Sequence, residues 1–229
     1  MNYKEIEKQS LELTDGLCNS ILSKIGHFVI GGWATTAYSG NIRFTADVDI
    51  ITRPLTTMPV IKAFNKEWNT KKVFYGVQAE HKKLGIQVHI NTISHMLDRT
   101  TNTKIPVPNE LFENISKAKI NGLYCKNTIE IPICPFNYLL TLKAIPNRVK
   151  DDFDFILLWL NKNYSVEEFK KYLKKCSSIK PFFGKCKRIS DKIYFYSLPK
   201  KLITNQRFDS IKYKAISRRI DETLKNLPK

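Results

Sequence analysis

Long apolar runs are missing from this 229-residue sequence. No apolar stretch approaches the ~18 residues that a membrane-spanning helix needs, so the sequence predicts no such helix. The N-terminal segment is charged and helical in pattern, which is not typical of a secretory signal peptide. We therefore expect a cytoplasmic protein with no membrane partner.

Paired cysteine motifs are missing as well. The five cysteines form no C-x-x-C pair, and their number is odd. Reduced and mostly buried thiols are the plain interpretation of such a pattern. The cysteine spacing therefore indicates neither a disulfide framework nor a zinc site.

Acidic residues are scarce relative to basic ones, and the net charge is +17. The imbalance is concentrated in residues 161–229, which hold 19 of the 38 Lys and Arg but only 6 of the 21 Asp and Glu. A basic C-terminal half favours a polyanionic partner such as RNA. The alternative is a basic surface with no role in nucleic-acid binding.

The apolar pattern changes from mixed α/β to helical near residue 134. Before that point we predict helices at 2–24, 32–39 and about 58–68, and strands at 27–30, 47–52, 72–78, 85–93, 115–120, 122–125 and 128–133. We predict a hairpin turn at residues 80–84, which contains Glu80. Residues 97–108 are predicted to form a loop. After it we predict helices at 136–143, 151–159, 166–176 and 207–226. The predicted fold class is therefore α+β, with an α/β domain at 1–134 and a basic helical domain at 135–229.

One stretch carries most of the functional information. An apolar strand is followed by the glycines Gly31 and Gly32, then by a short helix, and then by Asp47 and Asp49 at the start of a second strand. Two acids separated by one residue in a strand project from the same side, so they can share a hard cation such as Mg²⁺. The glycines allow close approach of the backbone to a ligand, and a helix start offers N–H groups to phosphate.

This combination resembles the polymerase-beta-like nucleotidyltransferases. Within them it is most similar to the AbiEii-type toxin nucleotidyltransferases, which carry a glycine turn, an Arg and a Ser or Thr ahead of Asp-x-Asp. The matching residues here are Gly31, Gly32, Arg43, Thr45, Asp47 and Asp49. The resemblance implies a mixed β-sheet flanked by helices and followed by a helical bundle, with an NTP as substrate and Mg²⁺ bound by Asp47 and Asp49.

A third carboxylate on a later strand is usual in this superfamily. The corresponding position here is His89, which lies between Val88 and Ile90. A neutral histidine could act as a metal ligand or as a general base near pH 7. It could equally mark an inactive enzyme, or be a hydrogen-bonded structural residue.

A second segment, Lys143 to Trp159, also resembles the AbiEii-type proteins. It contains Lys143, a bend with Arg148, and the acids Asp151 and Asp154, which are three residues apart and so share a helix face. The resemblance implies that Lys143 contacts the nucleotide phosphates, and that Asp151 or Asp154 orients it or supports Arg148. The alternative is an acidic N-terminal turn of an ordinary helix.

Three functions follow from these features. The first is a Mg²⁺-dependent transferase that moves NMP from NTP to an acceptor hydroxyl. The resemblance implies an RNA 3′ end such as that of tRNA as the acceptor, a toxin-like role and an antitoxin partner. The second is a non-catalytic nucleic-acid-binding protein on a decayed transferase fold. The third is a transferase acting on a small molecule or a protein hydroxyl.

Overall fold

The structure is a computed structural model that describes residues 2–40, 42–53, 57–62, 64, 66–113, 115–225 and 227. The chain separates into two compact units. The first comprises Met1–Met96 and Val107–Pro135, and the second comprises Leu97–Pro106 and Phe136–Lys229. The sequence-based division at 134/135 did not assign residues 97–106 to the second unit. None of the described helices has the length and apolar composition that crossing a membrane requires.

The first unit is built on a mixed sheet. Its elements are α1 (Tyr3–Gly16), β1 (His27–Val29), α2 (Gly31–Ser39), β2 (Val48–Thr52), α3 (Thr57–Lys62), β3 (Trp68–Val73), β4 (Gly76–His81), β5 (Gln87–Asn91), β8 (Ser116–Ile120) and β9 (Ile129–Ile133). The strand order is β3-β4-β5-β2-β1-β9-β8. The β2–β5 and β1–β9 pairs are parallel, and the other described pairs in this sheet are antiparallel.

Alternation along the strands places one large apolar cluster on one face of this sheet. This apolar cluster contains Leu11 of α1, Trp33 of α2 and inward residues of three strands. These strand residues are Val48 and Ile50 of β2, Val77 and Ala79 of β4, and Val88 and Ile90 of β5. Residues between them along each strand project to the opposite face. The predicted α+β class with a mixed sheet flanked by helices is therefore confirmed.

Several predictions in the first unit were wrong. The predicted helix at 58–68 is shorter, since α3 is Thr57–Lys62 and Trp68 already begins β3. The predicted strand at 72–78 is instead divided between β3 and β4, because the chain reverses after Val73 and Gly76 adopts a φ of 144°. Glu80 therefore lies within β4, opposite Gln87, and not in a turn. The predicted strand at 122–125 is absent from the described chain, because the Glu7 carboxylate accepts hydrogen bonds of 2.7–3.0 Å from the N–H groups of residues 123–125.

The second unit is mainly helical, as predicted. Its helices are α4 (Phe136–Ala144), α5 (Val149–Trp159), α6 (Val166–Lys175), α7 (Lys180–Ser190), α8 (Lys192–Ser197) and α9 (Ser210–Leu224). The final residue of the predicted last helix, 226, lies outside the described residues. The core contains four fully buried rings whose centroids lie 4.6–6.3 Å apart in the measured pairs: Phe155, Trp159, Phe169 and Phe182.

The predicted loop at 97–108 was wrong in part. It contains the end of β6 (His95–Asp98) and all of β7 (Thr103–Pro106), which form a separate two-stranded sheet. Asp98 accepts hydrogen bonds from the backbone N–H of Thr101 and from the hydroxyl groups of Thr100 and Thr101, at 2.6–2.9 Å. The polar residues of this segment therefore form a tight turn between two strands.

Candidate active site

The glycine turn lies against the Asp49 carboxylate. Gly31 begins α2 with a φ of 69°, a conformation that glycine adopts at little cost. The Ile30 N–H donates to the Asp49 carbonyl at 2.9 Å, which fixes the turn beside β2. A Cβ atom at Gly31 would overlap the Asp49 carboxylate. The absence of a side chain at Gly31 therefore makes this close approach possible.

Gly32 is equally close to the segment that precedes β2. A Cβ atom at this position would overlap the Thr45 hydroxyl and lie 3.2 Å from Nη2 of Arg43. The Arg43 side chain is buried, and its Nη1 donates to the Phe44 carbonyl at 3.0 Å. The structure therefore brings together Gly31, Gly32, Arg43, Thr45 and Asp49, which the sequence motif had linked.

The position of Asp47 is set by α1 and α2. Ser10 of α1 donates a hydrogen bond to the carbonyl of Ala46, and Trp33 of α2 donates to the Ser10 hydroxyl at 3.0 Å. Asp47 therefore follows an anchored residue and lies immediately before β2, one residue outside the strand that was predicted to include it. Both Asp47 and Asp49 are half-buried.

His89 is paired with Asp49 across the β2–β5 ladder. The two residues are register partners, and the Nδ1 atom of His89 lies 3.1 Å from Oδ1 of Asp49. The side chains remain 37% and 30% exposed, respectively. An ionised carboxylate can only accept a hydrogen bond, so Nδ1 carries the proton in this pair. The Nε2 atom of a neutral His89 is therefore left with a lone pair.

The donor set fits a magnesium ion that is bound together with substrate phosphates. Mg²⁺ is held in proteins by one or two carboxylates, while phosphate and water oxygens complete its octahedron. Asp47 and Asp49 offer two half-buried carboxylates, and that of Asp49 lies beside the glycine turn. Among the described residues, no group of three His, Cys, Asp or Glu side chains is arranged to hold a metal ion. Imidazole nitrogen is a poor ligand for Mg²⁺, so His89 suits a proton acceptor better than a metal ligand.

The second unit contains the other predicted residues in a buried ionic cluster. The Lys143 ammonium lies 3.1 Å from Asp151 and 2.8 Å from Asp154, and all three side chains are at most 6% exposed. The other oxygen of Asp151 accepts a hydrogen bond from Nε of Arg148, whose side chain is 50% exposed. Two carboxylates therefore compensate the charge of Lys143. Its predicted contact with nucleotide phosphate stays a prediction.

A third acid of α5, which the sequence analysis missed, forms a separate buried cluster. Asp152 is 1% exposed and is bound by Lys185, by Arg188 at 3.1–3.2 Å and by the Tyr194 hydroxyl at 2.6 Å. Burial alone raises the pKa of the Asp152 carboxyl, but these cations and hydrogen bonds hold its pKa below the ordinary value. The only sequence signal was the spacing of Lys185 and Arg188, which places them on one helix face.

Two solved structures share this fold along nearly the whole chain. JHP933 from Helicobacter pylori is 13% identical, the alignment covers 98% of this chain and 96% of that protein, and the TM-score is 0.52. A protein from H. pylori that is described as a candidate nucleotidyltransferase is 13% identical, with coverages of 100% and 99% and a TM-score of 0.53. The sequence matches no family model, and no curated protein matches it. At this level of identity the likeness concerns architecture alone, and the chain shares the α+β fold of these two proteins.

Proposed function

We propose that this protein transfers a nucleoside monophosphate from an NTP to an acceptor hydroxyl. The observation that carries the proposal is the contact between the Gly31 turn and the Asp49 carboxylate, where a Cβ atom would overlap the acid. This contact joins a phosphate-binding backbone to a metal-binding side chain. The nucleotidyltransferase-like fold supports the same conclusion.

The nucleotide-binding part of the site consists of the glycine turn and its supports. Gly31 and Gly32 open α2, so the first N–H groups of this helix are available to triphosphate oxygens. The Arg43 guanidinium next to Gly32 adds positive charge at the same end of the helix. Asp47 and Asp49 would hold Mg²⁺, which neutralises the charge that develops on the phosphates when it is bound.

His89 supplies the proton acceptor in the transfer step. The acceptor oxygen attacks the α-phosphorus of the NTP, and the bond from this phosphorus to the bridging oxygen of the β-phosphate breaks, which releases pyrophosphate. The hydroxyl proton passes to Nε2 of His89, since Nδ1 is engaged with Asp49 at 3.1 Å. Asp49 thus also orients the imidazole and stabilises its protonated form.

The ionic cluster of Lys143, Asp151, Asp154 and Arg148 contains a second candidate phosphate-binding cation, the guanidinium of Arg148. Asp151 is held by Lys143 and in turn binds Nε of Arg148, while half of the Arg148 side chain stays exposed. A guanidinium that is fixed through one nitrogen can still donate from its other nitrogens. Within the second unit, Arg148 is therefore the residue of this segment that can donate to a phosphate, with Lys143, Asp151 and Asp154 as its positioning residues.

The proposed acceptor is the 3′ end of an RNA such as tRNA. The supporting observation is the net charge of +17, which is concentrated in residues 161–229. Lysine and arginine in such a segment bind the phosphate backbone, and this binding weakens steeply with salt. The resemblance to AbiEii-type proteins extends the proposal to a toxin-like role with an antitoxin protein as partner.

Labelling with α-phosphate-labelled NTPs tests the proposal. The full chain is incubated with each NTP, total tRNA and Mg²⁺, and transfer is measured as label retained in RNA. Asp49→Asn is expected to reduce labelling to background, whereas Glu12→Gln, which changes an exposed acid on α1, is expected to leave it unchanged. Labelling by Asp49→Asn at the wild-type level would overturn the assigned site, and failure of the wild type with all four NTPs and several acceptors would overturn the activity.

A non-catalytic RNA-binding protein is the second candidate. It is favoured by His89 at the position where related enzymes have an acid, and by the lack of a three-ligand metal group among the residues described. In this case the wild type would bind RNA in a salt-sensitive manner without labelling it. Asp47→Ala would then leave the affinity for RNA unchanged.

A further inference from the structure

A row of polar side chains crosses the first sheet from the candidate site to its edge. Asp49 on β2 is the register partner of His89 on β5, His89 is opposite Gln78 on β4, and Gln78 is opposite Lys71 on β3. Directly opposed residues of neighbouring strands project from the same face of a sheet. We call these four residues the polar row. It lies on the face opposite the apolar cluster, because the residues that alternate with it, such as Val48, Val88 and Ala79, are fully buried in that cluster.

The outer half of the polar row is open to solvent. Gln78 is half-buried and Lys71 is exposed, and no residue in the described part of the chain forms a hydrogen bond or ion pair with either side chain. A cavity of about 290 Å³ opens at this place, lined by Trp68, Asn69, Thr70, Lys71, Gln78 and Glu80. A positive charge, a negative charge and two amides therefore line a cavity on β3 and β4, and one of the amides, Gln78, is the register partner of His89.

The geometry of nucleotidyl transfer indicates from which side of β2 the acceptor hydroxyl approaches. The attacking hydroxyl and the leaving pyrophosphate lie roughly in line on opposite sides of the reacting phosphorus. The glycine turn follows β1, which borders β2 on one side, while His89 lies on β5, which borders β2 on the other. With the triphosphate at the glycine turn, the acceptor approaches over β5, where the remainder of the polar row begins.

We propose that the polar row is the binding site for the 3′-terminal segment of a single-stranded nucleic acid acceptor. This inference rests on the proposed function and adds the residues that select the acceptor. Gln78 hydrogen-bonds the terminal nucleotide, and Lys71 binds a phosphate farther from the 3′ end. Neighbouring strands are about 4.8 Å apart, so Lys71 is roughly 14 Å from the strand of Asp49. A row of this length suits an extended chain, and the exposed ammonium of Lys71 at its outer end suits a phosphate.

A matched pair of lysines on one strand provides the test. Lys71 and Lys72 are both exposed, but they project from opposite faces of β3, with Lys71 opposite Gln78 and Lys72 opposite Val77. Binding of a fluorescein-labelled single-stranded RNA dodecamer to the full chain is followed by anisotropy at several salt concentrations. One phosphate contact contributes about 0.7 to the slope of log K against log salt for single strands, which is about fivefold in affinity near 0.1 M salt.

The expected result is a slope lowered by about 0.7 and roughly fivefold weaker binding for Lys71→Ala, with neither change for Lys72→Ala. Glu80→Gln, which removes a negative charge beside the row, is expected to tighten binding. Equal effects of the two lysine variants would overturn the proposal. It would also be overturned if Lys71→Ala bound RNA more tightly and Glu80→Gln more weakly, the pattern of a cationic acceptor. These binding measurements need no transfer activity, so their failure is distinct from failure of the labelling experiment.

Discussion

Replacing Asp152 should destabilise the second unit more than any surface change. Asp152→Ala removes the carboxylate that compensates the Lys185 ammonium, and both side chains are at most 1% exposed. Arg188 and the Tyr194 hydroxyl lose the same partner, but Arg188 is 33% exposed and can be hydrated. The principal cost is therefore the unpaired charge of Lys185 inside the core.

The magnitude follows from the energetics of buried ion pairs. Breaking such a pair by removing one partner costs about 3–5 kcal/mol, a large fraction of the 5–15 kcal/mol that is typical of a whole domain. Replacing both partners with apolar residues of similar volume is often neutral. The double variant Asp152→Leu/Lys185→Met is therefore expected to recover at least half of the free energy of unfolding that Asp152→Ala loses.

Urea unfolding followed by tryptophan fluorescence measures this effect. Trp159 is fully buried in the second unit, whereas the other two tryptophans, Trp33 and Trp68, belong to the first. A background with Trp33→Phe and Trp68→Phe therefore reports on the second unit alone. A loss below about 1 kcal/mol for Asp152→Ala, or no recovery in the double variant, would refute the reasoning, since surface ion pairs contribute only that much.

Acid should remove this stabilisation. The pKa of Asp152 is held below its ordinary value of 3.8, so its contribution is present above that value. It is lost as the pH falls through the lower pKa of the folded state. The difference between wild type and Asp152→Ala should therefore shrink as the pH falls below about 4.

Two further predictions concern the first unit. Gly31→Ala is expected to lose nucleotidyl transfer and about 1–2 kcal/mol of stability, because the φ of 69° disfavours a side chain and the added Cβ overlaps Asp49. The control is Gly16→Ala, since Gly16 is helical and a Cβ atom there would meet open space. Equal effects of the two variants in the labelling and unfolding assays would contradict this prediction. Burial lowers the pKa of His27 below 6.5, so the unfolded chain takes up a proton on this residue before the folded chain does. Stability should therefore fall as the pH drops below about 6.5. The melting temperature of His27→Gln should lack this dependence, and a pH profile of the variant identical to that of the wild type would contradict the assignment.

The sequence was most informative where local chemistry determines local structure. The glycine turn, the short helix after it and the Asp-x-Asp strand were recognisable, because backbone conformation and side-chain alternation follow directly from residue type. The start of α6, predicted at residue 166, also follows from local chemistry, because the Ser165 hydroxyl accepts a hydrogen bond from the Glu168 N–H at the N-cap. The hairpin of β3 and β4 was missed because its turn, Phe74–Tyr75, consists of residues that favour strands.

Burial of charge could not be predicted from the sequence. Lysine and aspartate are exposed in most proteins, so the sequence alone does not indicate which of the basic residues after residue 160 are buried. Lys185 is fully buried against Asp152, and Lys143 is buried between Asp151 and Asp154. These pairs join residues distant in sequence or on different helices, and only the packing of the helices brings them together. The polar row was missed for a related reason, since it depends on strand register across four strands.

A complex of the full chain with a non-hydrolysable NTP analogue and Mn²⁺ in place of Mg²⁺ tests the central claim most directly. The anomalous signal of manganese distinguishes the cation from water and from lighter ions. We expect the cation at about 2.1 Å from carboxylate oxygens of Asp47 and Asp49, with triphosphate oxygens bound to the N–H groups of the Gly31 turn. A triphosphate bound elsewhere, or manganese that contacts neither carboxylate, would contradict the account.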